Sequence, residues 1–257
     1  NKDLYEIISR SFPKESDFNV SFDENNKRDD IFIEDITEKS LHKDIVNFIN
    51  YHSSQDFWNE IINHFGNYII DVHSDIFSDI NSLKNLSISN KRLLNSENLQ
   101  YNQLNLKNQK KMFLHSSVSI NTPVHKKSSV RGAHLDKLNK LYGALFYCRH
   151  PSDESSGGDL EILEWKKKLS LEEKKDIIKR NDNIEDYLTI NKISYKPNSF
   201  IFFVNSIDSL HSVSERELTK FERRFFYFSG ILNFYLYDMP SKKTRDNLFN
   251  VLKKYIS

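Results

Sequence analysis

The sequence predicts a mainly β protein with flanking helices, its strands arranged as a sandwich or double-sheet jelly roll. Three observations carry this. Helical spacing dominates up to about residue 85, and from about residue 99 short alternating segments follow one another at close intervals. The chain has 19 Phe and 12 Tyr, side chains that favour strands and bury large areas. Five of its six glycines (Gly132, Gly143, Gly157, Gly158 and Gly230) lie between residues 130 and 230, where tight turns are therefore expected.

The first 30 residues are polar and weakly patterned, and "FDENNKRDD" reads as an exposed loop. From Asp35 to about His52, Ile45, Phe48 and Ile49 share one side of a helix. "SSQDFWNEIINHFGNYIIDVHSDIFSDI" is a stronger helix. Phe57, Ile61 and Phe65 recur every four residues, Trp58, Ile62 and Ile69 lie beside them, and Ser53 or Ser54 can cap the start. Residues 99–108 alternate as a half-exposed strand, and residues 116–124 are β-like up to Pro123. Leu141 to Tyr147 is a nearly continuous apolar run, as in a buried strand. "SGGDLEILEW" is a turn and an alternating strand. Residues 166–192 are charged and partly helical and read as a surface excursion. "KPNSFIFFVNS" turns into a buried strand, and "ERRFFYFSGILNFYLY" supplies one or two more. After Pro240, Leu248, Val251, Leu252 and Tyr255 have the spacing of an amphipathic C-terminal helix.

No repeat or low-complexity linker divides the 257 residues. The expectation is one domain over 1–257. It has a mainly helical part over 1–95, a β core over 96–237 with an insert near 166–192, and a helix over 241–257. The formal charge of +1 gives no electrostatic reason to expect nucleic acid. No apolar stretch approaches the roughly 18 residues of a membrane span, and the N-terminus lacks a secretory apolar core. The chain opens on Asn rather than Met, which leaves a removed upstream segment open. Cys148 is the only cysteine, so no internal disulfide forms, and a reducing, cytoplasmic setting is the simpler expectation. Neither Gly-x-Ser-x-Gly nor a phosphate loop is present.

"VRGAHLDKLNKLYGALFYCRH" stands apart, because His134 and Asp136 directly precede an apolar run. Residues two apart in extended chain point the same way, so one ion can reach both. Two His and one carboxylate on one face of an iron(II) site leave three positions open for cosubstrate and oxygen. His211, just after the run Phe200 to Val204, offers the third ligand. Arg223 and Arg224, 12 and 13 residues further on, offer a guanidinium for an acidic cosubstrate. The seven histidines His42, His52, His64, His73, His115, His125 and His150 lack ligand spacing with a carboxylate and read as surface or structural residues. Cys148 reads as a small buried hydrophobe.

With "HLD", "YGALFYCR", "SGGDLEI", "PNSFIFFVNS", "HSV" and "RRFFYFSG" in order, residues 100–237 resemble the Fe(II)- and 2-oxoglutarate-dependent oxygenases, most closely their prolyl-hydroxylase-like branch. The resemblance implies a double-stranded β-helix (jelly roll, cupin-like) core with helices on the outer face of one sheet. It implies iron held by His134, Asp136 and His211, with 2-oxoglutarate as cosubstrate and O2 as oxidant. An Arg on the last strand would hold the distal carboxylate of 2-oxoglutarate, aided by Tyr147. Many members have Arg-x-Ser there, and neither Arg fits. Arg223 is followed two residues on by Phe225 and then Tyr227, Arg224 by Phe226 and Phe228, so Arg223 is preferred. Halogenases of the family carry Gly or Ala at the position of Asp136, so a carboxylate implies hydroxylation of a C–H bond, with succinate and CO2 released.

Asn121, Thr122 and Arg131 lie on the approach to the site and are candidate substrate contacts. A cavity-facing Arg131 would suit an acidic or zwitterionic substrate. A small-molecule substrate is expected, since no long basic or aromatic groove is evident. A protein or peptide side chain is the alternative, and oligomeric state is not legible. Two rival functions share these residues: a non-catalytic jelly-roll module binding carbohydrate or protein, and a zinc or other metal hydrolase using the same three ligands.

Overall fold

A computed structural model describes residues 2–38, 41–90, 110–180 and 184–237. It is mainly β, with two largely antiparallel sheets in a jelly-roll-like arrangement. The helices are α1 (Lys2–Arg10), α2 (Lys43–His52), α3 (Gln55–Val72), α4 (Ile80–Lys84) and α5 (Leu171–Arg180). The larger sheet contains β1 (Arg28–Phe32), β3 (Lys111–Asn121), β9 (Arg223–Leu232), β4 (Lys140–Tyr147) and β7 (Ser199–Val204), in that order, with β2 (Ser87–Ser89) added parallel to β3. The smaller sheet runs β6 (Tyr187–Ile193), β5 (Leu160–Trp165), β8 (His211–Val213). From β4 onward the chain passes from one sheet to the other and back: β4, then β5 and β6, then β7, β8 and β9.

Helices α1 to α4 pack against one face of the larger sheet, whereas Ile177 and Ile178 of α5 pack with Leu163 of the smaller one. In α2, Ile45, Ile49 and His52 recur at helical spacing and are buried. Ile45 and Ile49 pack in one cluster with Val118, Ile120, Ala144 and Phe226 of the sheet. Side chains of this kind contribute about 1.5–3 kcal/mol each when fully buried. In α3 the buried face includes Phe57, Trp58, Ile61, Ile62 and Ile69, and Ser54 Oγ accepts from Phe57 N at 3.3 Å as its cap. The helix stops at Val72 rather than running on toward residue 80. Asp79 then caps the short α4, its Oδ1 accepting from Ser82 N at 2.8 Å.

Alternation along the central strands separates two interiors. Ala144 and Phe146 of β4 and Phe226 and Phe228 of β9 face the helices. Leu145, Tyr147 and Phe225 face the smaller sheet, together with Leu160, Tyr195 and Ile201. The second interior contains the candidate site.

Several sequence expectations need correction. The polar N-terminus holds α1, which buries Ile8, and "FDENNKRDD" runs into β1, an edge strand of the larger sheet. The end of the 166–192 excursion is β6, paired with β5. β7 is an edge strand and only half-buried, with Phe200 45% exposed. The strand expected over 99–108 and the helix expected over 241–257 lie outside the described residues. No helix among the described residues is long and apolar enough to cross a membrane.

Candidate metal centre and anion cradle

His134 and Asp136 lie on the segment leading into β4, and His211 opens β8. One antiparallel bridge joins the two histidines: His134 N donates to His211 O at 2.9 Å and His211 N to His134 O at 3.1 Å. This backbone pairing brings the imidazoles together, their ring centroids 4.2 Å apart. One ligand atom from each of His134, Asp136 and His211 falls within 4.8 Å of the others. They are the only such group of three among the described residues.

Each imidazole is oriented in the same way. His134 Nδ1 lies 2.9 Å from Gly132 O, and His211 Nδ1 lies 2.8 Å from Ser209 O. A carbonyl can only accept, so Nδ1 carries the proton and Nε2 keeps its lone pair. Burial, then the neighbouring His211 imidazole and the Arg131 charge, push His134 down to about 3. Burial also lowers His211, against the pull of Asp136. Both rings are therefore neutral, the form that binds a metal. Burial alone would raise the Asp136 carboxyl, but the Lys140 ammonium, helped by His211, outweighs it and holds the group well below the usual carboxylate range.

Lys140 is a member of the site that the sequence reading missed. Its Nζ lies 2.7 Å from Asp136 Oδ1 and 5.3 Å from the centroid of the Tyr227 ring. Asp136 Oδ2 faces His211 Nε2 at 3.9 Å. One carboxylate oxygen is thus engaged by the ammonium, and the other points at the imidazoles. The donor set of two Nε2 atoms and one carboxylate oxygen fits Fe(II) and equally Zn(II).

Arg223 and Tyr147 meet in the second interior. Arg223 is 2% exposed. Its Nη2 donates to Tyr147 Oη at 2.9 Å, its Nε to Gly158 O at 3.0 Å, and its Nη1 to Asn121 Oδ1 at 3.4 Å. The rings of Tyr147, Phe225 and Tyr195 lie about its guanidinium, with centroids 4.9, 4.9 and 5.1 Å from its carbon. Gly158 approaches this closely because the turn Gly157-Gly158 takes φ of +85° and +75°, a conformation that suits glycine. No carboxylate pairs with Arg223 among the described residues. Buried Arg216, by contrast, has Asp153 at 3.4 Å. Burial raises the Tyr147 hydroxyl despite the Arg223 charge, so it stays protonated. Since it accepts from Arg223, its own proton remains to be donated.

The cradle and the triad share one wall. Phe203 packs in the cluster of Tyr147 and Phe225, and its ring centroid is 5.2 Å from that of His211. Tyr227, also packed against that cluster, has its ring centroid 5.3 Å from the Nζ of the Lys140 that holds Asp136.

The remaining expected residues separate. Arg224 lies on the opposite face of β9, ion-paired to Glu222 and 5.3 Å over the Phe12 ring, so it is not brought to the cradle. Asn121 is brought there, with Nδ2 buried and without a partner. Thr122 instead closes a turn: its Oγ1 accepts from Lys27 N at 2.8 Å and donates to Glu24 O. Arg131 is exposed, and its charge reaches both imidazoles. His52 and His73 are buried structural residues, and Cys148 is buried in the apolar cluster under α2.

No protein-family model matches the chain, and no curated protein does. Twenty-one chains of solved structures match. The chain is similar to a prolyl-4-hydroxylase from Pseudomonas putida. The identity is 10%, 90% of this chain and 87% of that one are covered, and the TM-score is 0.46. At those values the reading of function has to come from the site itself.

Proposed function

We propose that the protein is an Fe(II)- and 2-oxoglutarate-dependent oxygenase on a double-stranded β-helix core, of the prolyl-hydroxylase-like branch. It forms one domain, and it hydroxylates a C–H bond of a small molecule. One observation above all supports this: a buried guanidinium without a carboxylate partner among the described residues shares a wall with a His-Asp-His group. A buried charge is costly unless an opposite charge meets it, so Arg223 is a place for an anion. A zinc hydrolase would use the same three ligands and leave Arg223 without a purpose.

In this reading His134, Asp136 and His211 hold the iron through two Nε2 atoms and one carboxylate oxygen. Lys140 would hold the other carboxylate oxygen and so keep Asp136 oriented toward the metal. Arg223 takes the distal carboxylate of 2-oxoglutarate, and Tyr147 adds its hydroxyl proton. Leu145, Leu160, Ile201 and Phe225 exclude water around the carbon chain. Bound iron with 2-oxoglutarate supplies the activation of O2. One oxygen atom leaves in succinate, formed with CO2, and the other becomes the hydroxyl of the product. The protein's own part is to bind, orient and keep the space dry.

The test is succinate release from 2-oxoglutarate in air across a panel of small molecules, with His134→Ala as the blank. Substrate-stimulated succinate, absent from the blank, is expected. Equal release from both would contradict the reading.

A further inference from the structure

The inner face of the larger sheet is divided along β9. Across β4 and β7 it carries Leu145, Ile201 and Phe203. Across β3 and β1 it carries small polar and charged groups. The register aligns Arg28 with Asn121 and Arg223 in one row, and Asp30 with Ser119 and Phe225 in the next.

Arg28 and Asp30 are two residues apart on β1 and so share a face. Arg28 Nε lies 3.0 Å from Asp30 Oδ2, and its Nη2 lies 2.9 Å from Oδ1. Asp30 Oδ1 also accepts from Ser119 Oγ at 2.5 Å and from Ser117 Oγ at 3.5 Å. The Arg28 guanidinium carbon stands 5.2 Å from the Phe225 ring centroid and 5.3 Å from that of Tyr227. Lys140 Nζ lies 5.3 Å from the same Tyr227 ring and holds Asp136. The Tyr227 ring and the Lys140 side chain thus stand between this ion pair and Asp136 of the His-Asp-His group. The pair is also reachable, since its side chains are 36% and 18% exposed.

We propose that Arg28 and Asp30 recognise the substrate, and that the substrate is a free α-amino acid, bound through its ammonium and carboxylate groups. The assignment names a substrate class for the oxygenase reading and rests on that reading for any chemistry after binding. The physical reason is charge matching. A zwitterion laid across the pair sets its carboxylate on the guanidinium and its ammonium on Asp30, so each charge keeps an opposite neighbour. A simple carboxylic acid draws Arg28 from Asp30, and a simple amine draws Asp30 from Arg28. Either leaves one partly buried charge unmatched, which costs binding. The aromatic faces under Arg28 keep the guanidinium plane in place for a two-point contact with a carboxylate.

The experiment is ligand-observed NMR on the full chain with Mn(II) and 2-oxoglutarate. The probes are the twenty common L-α-amino acids, followed by the des-amino and decarboxylated analogues of any that bind. Expected are binding of at least one amino acid, binding at least tenfold weaker for both analogues, and a loss of at least tenfold in Arg28→Gln and in Asp30→Asn. Arg28→Lys, which keeps the charge and loses the two-point contact, replaces Arg28→Gln if that variant does not fold. Binding of no amino acid, or equal binding by the folded variants, overturns the proposal. The Fe(II)–2-oxoglutarate absorption of the wild type, measured without any amino acid, separates that failure from failure of the oxygenase reading.

Discussion

Lys140 Nζ lies 2.7 Å from Asp136 Oδ1, and this contact sets which carboxylate oxygen faces the two histidines. The ammonium is nearly buried, with its side chain 13% exposed. Replacing it with Met would leave Asp136 buried without its compensating charge. We expect Lys140→Met to change the metal dissociation constant by about 10–100-fold, as loss of a group that orients a ligand does. Titration with Mn(II), read by its magnetic resonance signal, measures it. An unchanged constant would show that Lys140 does not position Asp136.

Arg223 and Arg224 are adjacent in sequence and opposite in orientation, which makes a paired test. A charged hydrogen bond contributes about 1.5–3 kcal/mol, so Arg223→Lys should raise the KM for 2-oxoglutarate by about 10–100-fold. Arg224→Gln, on the helix-covered face, should leave that KM within about twofold. Steady-state succinate assays at varied 2-oxoglutarate check both.

The Gly157 turn gives a prediction for stability. Its φ is +85°, and a Cβ there would sit 1.8 Å from Glu215 O, a backbone atom that cannot swing away. Gly157→Ala should destabilise by about 1–3 kcal/mol or more, the cost of a strained backbone. Thermal unfolding measures the loss. An unchanged Tm would mean that the turn is built differently.

Burial pushes His52 down to about 4, against a backbone carbonyl that favours its proton. The folded form thus binds this proton less readily than the unfolded chain, whose imidazole titrates near 6.5. The contribution of His52 is present above about pH 6.5 and is lost as pH falls toward 4, up to about 3 kcal/mol. His52→Phe should flatten the fall in Tm between pH 7 and pH 4.5. An identical fall in the variant would contradict this.

The parts that were legible in the sequence are those where periodicity and chemistry agree. Ser54 and the buried side chains Phe57, Ile61 and Ile69 announce α3, and the run from Leu141 to Tyr147 announces β4. His134, Asp136 and His211 carried their spacing openly, and the structure draws them together. β1 was illegible because Arg28 and Asp30 face inward, which breaks the usual pattern of polar residues outside. β6 hid because Leu188 and Ile190 are exposed and its neighbours are charged. Lys140 escaped notice because a lysine four residues after an aspartate is ordinary in sequence. Its value comes from burial. Thr122 misled for the opposite reason: a hydroxyl near the site was already committed to a turn.

The most direct measurement is the visible spectrum of the protein with Fe(II) and 2-oxoglutarate in the absence of oxygen. The account predicts a weak charge-transfer band that appears only when both are present. It should be lost in His134→Ala and require higher 2-oxoglutarate in Arg223→Lys. No band in the folded wild type, together with no succinate in air, would contradict the oxygenase reading.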